Sequence, residues 1–131
     1  MIKKIHHIGI VVRDIEEAFK FYRDTLGLPV HKMDTVVDQD VKAALLTLGH
    51  SEIELLEPLS TTSGIGRFLE RRGEGMHHLC FETDDVAAEL ERVKAQGVEV
   101  IDQAPRKGLA GMICFLHPRA THGVLVEFAQ P

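Results

Sequence analysis

An internal repeat is the strongest constraint on what this chain of 131 residues can become. Residues 5–15, IHHIGIVVRDI, return as GMHHLCFETDDV at residues 75–86. In each copy a His-His pair opens an alternating strand, an Asp follows, and an amphipathic helix begins. His7 and His78 stand 71 positions apart, as do Asp14 and Asp85. The ends of the copies also match: IELLEP at 53–58 lies over VEFAQP at 126–131, with Glu54 and Glu127 offset by 73. Each copy is one supersecondary unit that brackets a His and a Glu.

Side-chain alternation along a strand shows where those four residues face, because residues two apart share a face. In the first copy Ile8, Ile10 and Val12 form an apolar set, opposed by His7, Gly9, Val11 and Arg13. In the second, Leu79 and Phe81 oppose His78, Cys80 and Glu82. At the module ends Ile53 and Leu55 oppose Glu52, Glu54 and Leu56, while Val124, Val126 and Phe128 oppose Leu125, Glu127 and Ala129. With the apolar sets beneath the helices, His7, Glu54, His78 and Glu127 converge on the open face as candidate ligands. By the same rule their neighbours His6 and His77 point away and read as structural.

The remaining chain is consistent with two modules, about 1–60 and about 76–131, joined by a connector over about 61–75 within a single domain. Asp14 with Glu17 marks a helix start. Ile15, Ala18, Phe19, Tyr22 and Leu26 then recur at helical spacing, and Gly27 and Pro29 end the helix. Residues 30–36 read as an irregular strand, and 41–48 with 51–57 as a hairpin around Gly49-His50. In the connector, Thr62 or Ser63 can cap a short helix. In module two, Asp84 or Asp85 caps a helix whose stripe is Val86, Leu90 and Val93. A short strand over 98–101, a Gly-rich basic loop over 105–111, and strands over 112–116 and 124–129 follow.

Composition bounds the function. With 44% hydrophobic and 27% charged residues the chain is ordinary globular protein, and a net charge of −5 disfavours nucleic-acid binding. No apolar window is long enough for a membrane span, and MIKKIHH lacks a signal-peptide core, so the cytoplasm is the default location. Cys80 and Cys114 follow no CxxC spacing and read as buried small hydrophobes. No phosphate-cradling GxxxxGK[ST] or dinucleotide GxGxxG pattern is present. Imidazole and carboxylate ligands suit one divalent ion such as Co, Zn, Ni or Mn.

Two repeats of strand, helix and three strands resemble the vicinal oxygen chelate superfamily over essentially the whole chain. The resemblance implies an α+β fold in which two tandem βαβββ modules form a curved mixed sheet around a central metal site, helices outside. The ligand positions of that superfamily fall on His7, Glu54, His78 and Glu127. Within it, IELLEPL, FLERRGEGMHHLCFETDD, PRKGLAG, FLHP and GVLVEF are similar to the methylmalonyl-CoA epimerases. That similarity implies interconversion of the 2R and 2S forms of an acyl-CoA through a metal-stabilised enolate, in a homodimer. Some epimerases carry a Glu proposed as a base where this chain has Ala43. Glu54 and Glu127 are therefore expected to serve both as ligands and as the catalytic proton-transfer pair. Arg67, Arg71, Arg72, Arg106 and Lys107 are the cations available to the CoA phosphates. Three other readings stay open: a glyoxalase I-type lactoylglutathione lyase, which shares the His, Glu, His, Glu set; a metal-dependent dioxygenase, against which the second Glu argues; and a small-molecule-sequestering resistance protein of the same fold.

Overall fold

The structure is a computed structural model that describes residues 1–131. Its contacts divide the chain into two compact units, one of Met1–His7 with His78–Pro131, the other of Ile8–His77. The strands β1 (Ile2–Val11) and β5 (Gly75–Thr83) each pass from one unit to the other at a histidine.

In the unit of Ile8–His77 the order of strands is β2 (Val30–Val36), β3 (Val41–Leu48), β4 (Ser51–Pro58) and the second half of β1. The β2/β3 and β3/β4 pairs are antiparallel. Asp14, in extended backbone, accepts hydrogen bonds from the Glu16 and Glu17 N–H groups at 2.9 and 3.3 Å and so starts α1 (Ile15–Phe19). A π-helical turn, Lys20–Thr25, prolongs the helix until Gly27 at φ +77° reverses the chain. The predicted apolar stripe is the buried face as far as Tyr22, while Leu26 is exposed: Ile15 and Phe19 pack with Val12, Ala44, Leu46 and Leu55, flanked by Ala18, Tyr22 and Ile53. Each large member is worth roughly 1.5–3 kcal/mol of burial. Ser63 Oγ accepts from Gly66 N–H at 3.0 Å and caps α2 (Gly64–Arg72).

In the other unit the order is the first half of β1, then β5, β8 (Val126–Gln130), β7 (Gly111–Leu116) and β6 (Arg106–Gly108). The β5/β8 pair is parallel while β7/β8 and β6/β7 are antiparallel, so the sheet is mixed. Asp85 caps α3 (Val86–Ala95) through the Ala88 N–H at 3.1 Å. Val86, Leu90 and Val93 of α3 cover Cys114, Leu116, Val126 and Phe128. On the opposite face Cys80, Ala110, Ile113 and Ala129 pack together beside Phe115. The alternation read from the sequence therefore holds on β5 and β8.

Two expectations change. Residues 98–101 form no strand, only the bridge Val100↔Leu116, because Asp102 takes the Phe115 N–H with its side chain at 2.8 Å in place of a ladder bond. The basic loop at 105–111 contains β6, paired with β7 around a tight turn.

Candidate metal centre

Three of the four predicted ligands meet within one unit. His7 lies in β1, His78 in β5 and Glu127 in β8, and their side chains are 1%, 4% and 5% exposed. His7 Nε2 and His78 Nε2 are 3.0 Å apart. Glu127 Oε1 lies 3.0 Å from the first and 3.1 Å from the second. The pairing Cys80↔Glu127 across β5 and β8 places the carboxylate beside the residue two along from His78, on the same face.

The electrostatics are those of a ligand set. Burial pushes the Glu127 carboxyl up, but the imidazoles of His7 and His78 outweigh it and hold the group below its ordinary value. It is therefore a carboxylate at neutral pH. Although both nitrogens are close, Glu127 Oε1 accepts no hydrogen bond, since no ring N–H is aimed at it. A buried acceptor left so costs about 1–3 kcal/mol, which makes the atom the clearest sign that a cation belongs at this point.

Around the three donors stand two groups that the sequence did not single out as part of a site. The Phe115 ring meets His78 in a T-shaped contact, with centroids 5.6 Å apart, and carries the Arg106 guanidinium 5.4 Å from its centroid. Phe115 pairs with Glu127 across β7 and β8, which could have flagged it as a wall of the same face. His6 is 8% exposed, and its Nδ1 lies 2.8 Å from His7 Nδ1. Strict alternation sent His6 away from its neighbour. Nδ1, however, is the ring nitrogen nearer the main chain, so adjacent imidazoles can meet there with their planes at 82°.

Glu54 belongs to the other unit, where it is buried in β4 opposite Leu45 of β3. Cross-strand partners share a face, so Ala43, Leu45, Leu56, Lys32 and Asp34 lie on the Glu54 side of that sheet. Ala43 is 1% exposed there and brings no acid. His77 packs against Phe68 at 5.0 Å, in line with a structural reading. His31 pairs with Glu52 at 2.7 Å, and His117 caps a short turn through the Arg119 N–H. Of the cations considered for phosphates, Arg106 is held by Asp102 at 3.0 Å and Arg72 lies over Phe68. Cys80 and Cys114 are free and buried.

Comparison with known proteins adds four relationships. The model of the Glyoxalase/Bleomycin resistance protein/Dioxygenase superfamily matches residues 6–115. The ethylmalonyl-CoA/methylmalonyl-CoA epimerase of Cereibacter sphaeroides is 39% identical over 133 residues, spanning 99% of this chain and 99% of its own. A variant of the Streptomyces coelicolor methylmalonyl-CoA epimerase, solved in complex with 2-nitronate-propionyl-CoA, matches with a TM-score of 0.95 and 38% identity over 99% of this chain and 98% of its own. The lactoylglutathione lyase of Haemophilus influenzae is more distant, 29% identical over 97% of this chain and 92% of its own.

Proposed function

Because the chain belongs to the glyoxalase/bleomycin resistance protein/dioxygenase superfamily, we propose that it is an isomerase that interconverts the 2R and 2S forms of methylmalonyl-CoA. The observation that carries this reading is the buried triangle of His7, His78 and Glu127 with its unbonded carboxylate oxygen. Near-full-length similarity to epimerases of the same substrate supports it. His7, His78 and Glu127 would hold one divalent ion, with Co, Zn, Ni or Mn as candidates, and Glu54 is carried over as the fourth ligand by resemblance to the superfamily alone. Such an ion supplies Lewis-acid stabilisation of the negative oxygen that develops when a proton leaves the carbon beside a thioester.

The chain's own residues do the rest. Inversion at C2 needs one group to take a proton from one face and another to return one to the opposite face. Glu127, kept ionised by its two imidazoles, is assigned one of these two steps, and the resemblance gives Glu54 the other. On the Glu127 side, buried Ile113 and half-buried Phe115 form the wall that keeps water from the carbanionic carbon. The Arg106 guanidinium beside Phe115 is the cation we assign to the CoA side of the substrate. A homodimer and a cytoplasmic location go with this reading through its resemblance to the epimerases.

The test is proton exchange at C2 of methylmalonyl-CoA in deuterated water, followed by NMR, with protein stripped of metal and then reloaded with cobalt. Metal-dependent deuterium uptake with loss of C2 configuration is expected. Absence of exchange in fully loaded protein would sink the epimerase reading. Turnover of a glutathione hemithioacetal by that same sample would replace it with the lyase.

A further inference from the structure

His7 is the middle of three imidazoles. Its Nε2 lies 3.0 Å from His78 Nε2 and its Nδ1 lies 2.8 Å from His6 Nδ1. A neutral imidazole carries a single N–H, so these two contacts must run in one direction. Either His78 donates to His7 and His7 donates to His6, or the order is reversed. In the first case the His7 Nε2 lone pair faces the centre of the triangle. In the second an N–H occupies that position. Either way one of the two Nε2 atoms carries a hydrogen in the metal-free protein, His78 in the first case and His7 in the second, so only in the first does cation binding leave the His7 tautomer unchanged.

We propose that His6 is the positioning residue that sets this direction: its Nδ1 accepts the Nδ1–H of His7 and holds the His7 Nε2 lone pair toward the centre. His6 is itself buried and packs edge-to-face on the His7 ring with centroids 5.1 Å apart, so it fixes ring orientation as well as tautomer. Outer partners of this kind change metal affinity about 10–100-fold when removed. The inference rests on the metal-centre reading above. It adds to that reading a residue outside the triangle.

Three proteins test it: wild type, His6→Phe, which keeps a ring but no acceptor, and His6→Asn, whose Oδ1 takes the place of Nδ1. Cobalt affinity is measured by competition with a chelating dye. The tautomer of His7 is read in metal-free protein from long-range proton–nitrogen NMR correlations, and unfolding curves show that each variant is folded. Expected are a roughly 10–100-fold weaker cobalt affinity in His6→Phe, recovery to within about threefold in His6→Asn, and a wild-type His7 protonated on Nδ1. Cobalt binding by wild type with unchanged affinity in His6→Phe overturns this proposal alone. So does failure of His6→Asn to recover, or a wild-type His7 protonated on Nε2. Should His6→Phe not fold, the His6→Asn affinity and the wild-type tautomer decide. A wild type that takes up no cobalt overturns the metal centre itself, and the role of His6 falls with it.

Discussion

Replacing Glu127 by Leu should make the metal-free protein more stable and the metal-loaded protein no more stable than that. Without an ion, the wild-type carboxylate is buried with Oε1 accepting no hydrogen bond, a cost of about 1–3 kcal/mol. Removing one partner of a buried ion pair is usually destabilising because a charge is stranded. Here the groups left behind are imidazoles, which can stay neutral and keep their mutual 3.0 Å contact. Leu is close to Glu in volume and joins Cys80, Ile113 and Ala129 on an apolar wall. A gain of ~1–3 kcal/mol in EDTA is therefore expected, which at an m-value near 2 kcal/mol/M moves the urea midpoint up by roughly 0.5–1.5 M. Cobalt at a hundred times its dissociation constant should stabilise wild type by about 2.7 kcal/mol and the variant by almost nothing. Urea unfolding at neutral pH, with EDTA and with cobalt, gives all four values. A variant less stable than wild type in EDTA, or equal stabilisation of both by cobalt, would refute the reasoning.

Further outcomes follow from single sites. Burial raises the Glu89 carboxyl, but Arg92 at 2.6 and 2.8 Å and the Met1 amine at 3.1 Å together outweigh it and hold the group below its ordinary value of 4.5. The bond's stability is thus present above that value and lost as pH falls through the folded one; acid unfolding should be steeper in wild type than in Glu89→Gln. The thiols of Cys80 and Cys114 are buried, and burial pushes Cys114 up to about 12. Neither should react with a disulfide reagent until the chain unfolds, and rapid native labelling of either would contradict the packing. Gly111 sits at φ +101° with the place of a Cβ 2.3 Å from the Gln130 carbonyl oxygen. Gly111→Ala should cost about 2–3 kcal/mol in urea unfolding, and a loss under 0.5 kcal/mol would show that the β7 entrance is free to shift.

How much was legible in the chain depended on whether a feature repeats. His7, His78 and Glu127 could be placed on one face from period-2 alternation and equal offsets, and Leu55, Val126 and Phe128 on the other. Glu54 could be placed on its strand face by the same rule. β6 was hidden because Gly108 looks like a loop residue. In the structure it is a packing glycine, its missing Cβ leaving room for Ile113, whose Cδ1 would stand 2.6 Å away. The expected strand over 98–101 failed for a side-chain reason, the Asp102 carboxylate on the Phe115 N–H, and hydropathy carries no trace of such a bond. His6 was misplaced because alternation describes Cβ directions, whereas its contact is made by a ring atom.

That last case separates two kinds of symmetry in the repeat. The ligand histidines correspond, His7 to His78, and so do the helix caps Asp14 and Asp85, whose carboxylates both accept from first-turn N–H groups. The residues just before the ligands correspond in sequence but not in environment. His6 meets the ring of its own neighbour at Nδ1, whereas His77 meets Phe68 of α2, an element of the connector that precedes only the second copy. A duplicated strand thus reproduces the side chains that point to the centre, since their direction is set by the pleat. The layer that orients them is supplied by whatever packs alongside, which differs between copies. The two ligand histidines thus have different ring neighbours, His6 beside His7 and Phe115 beside His78.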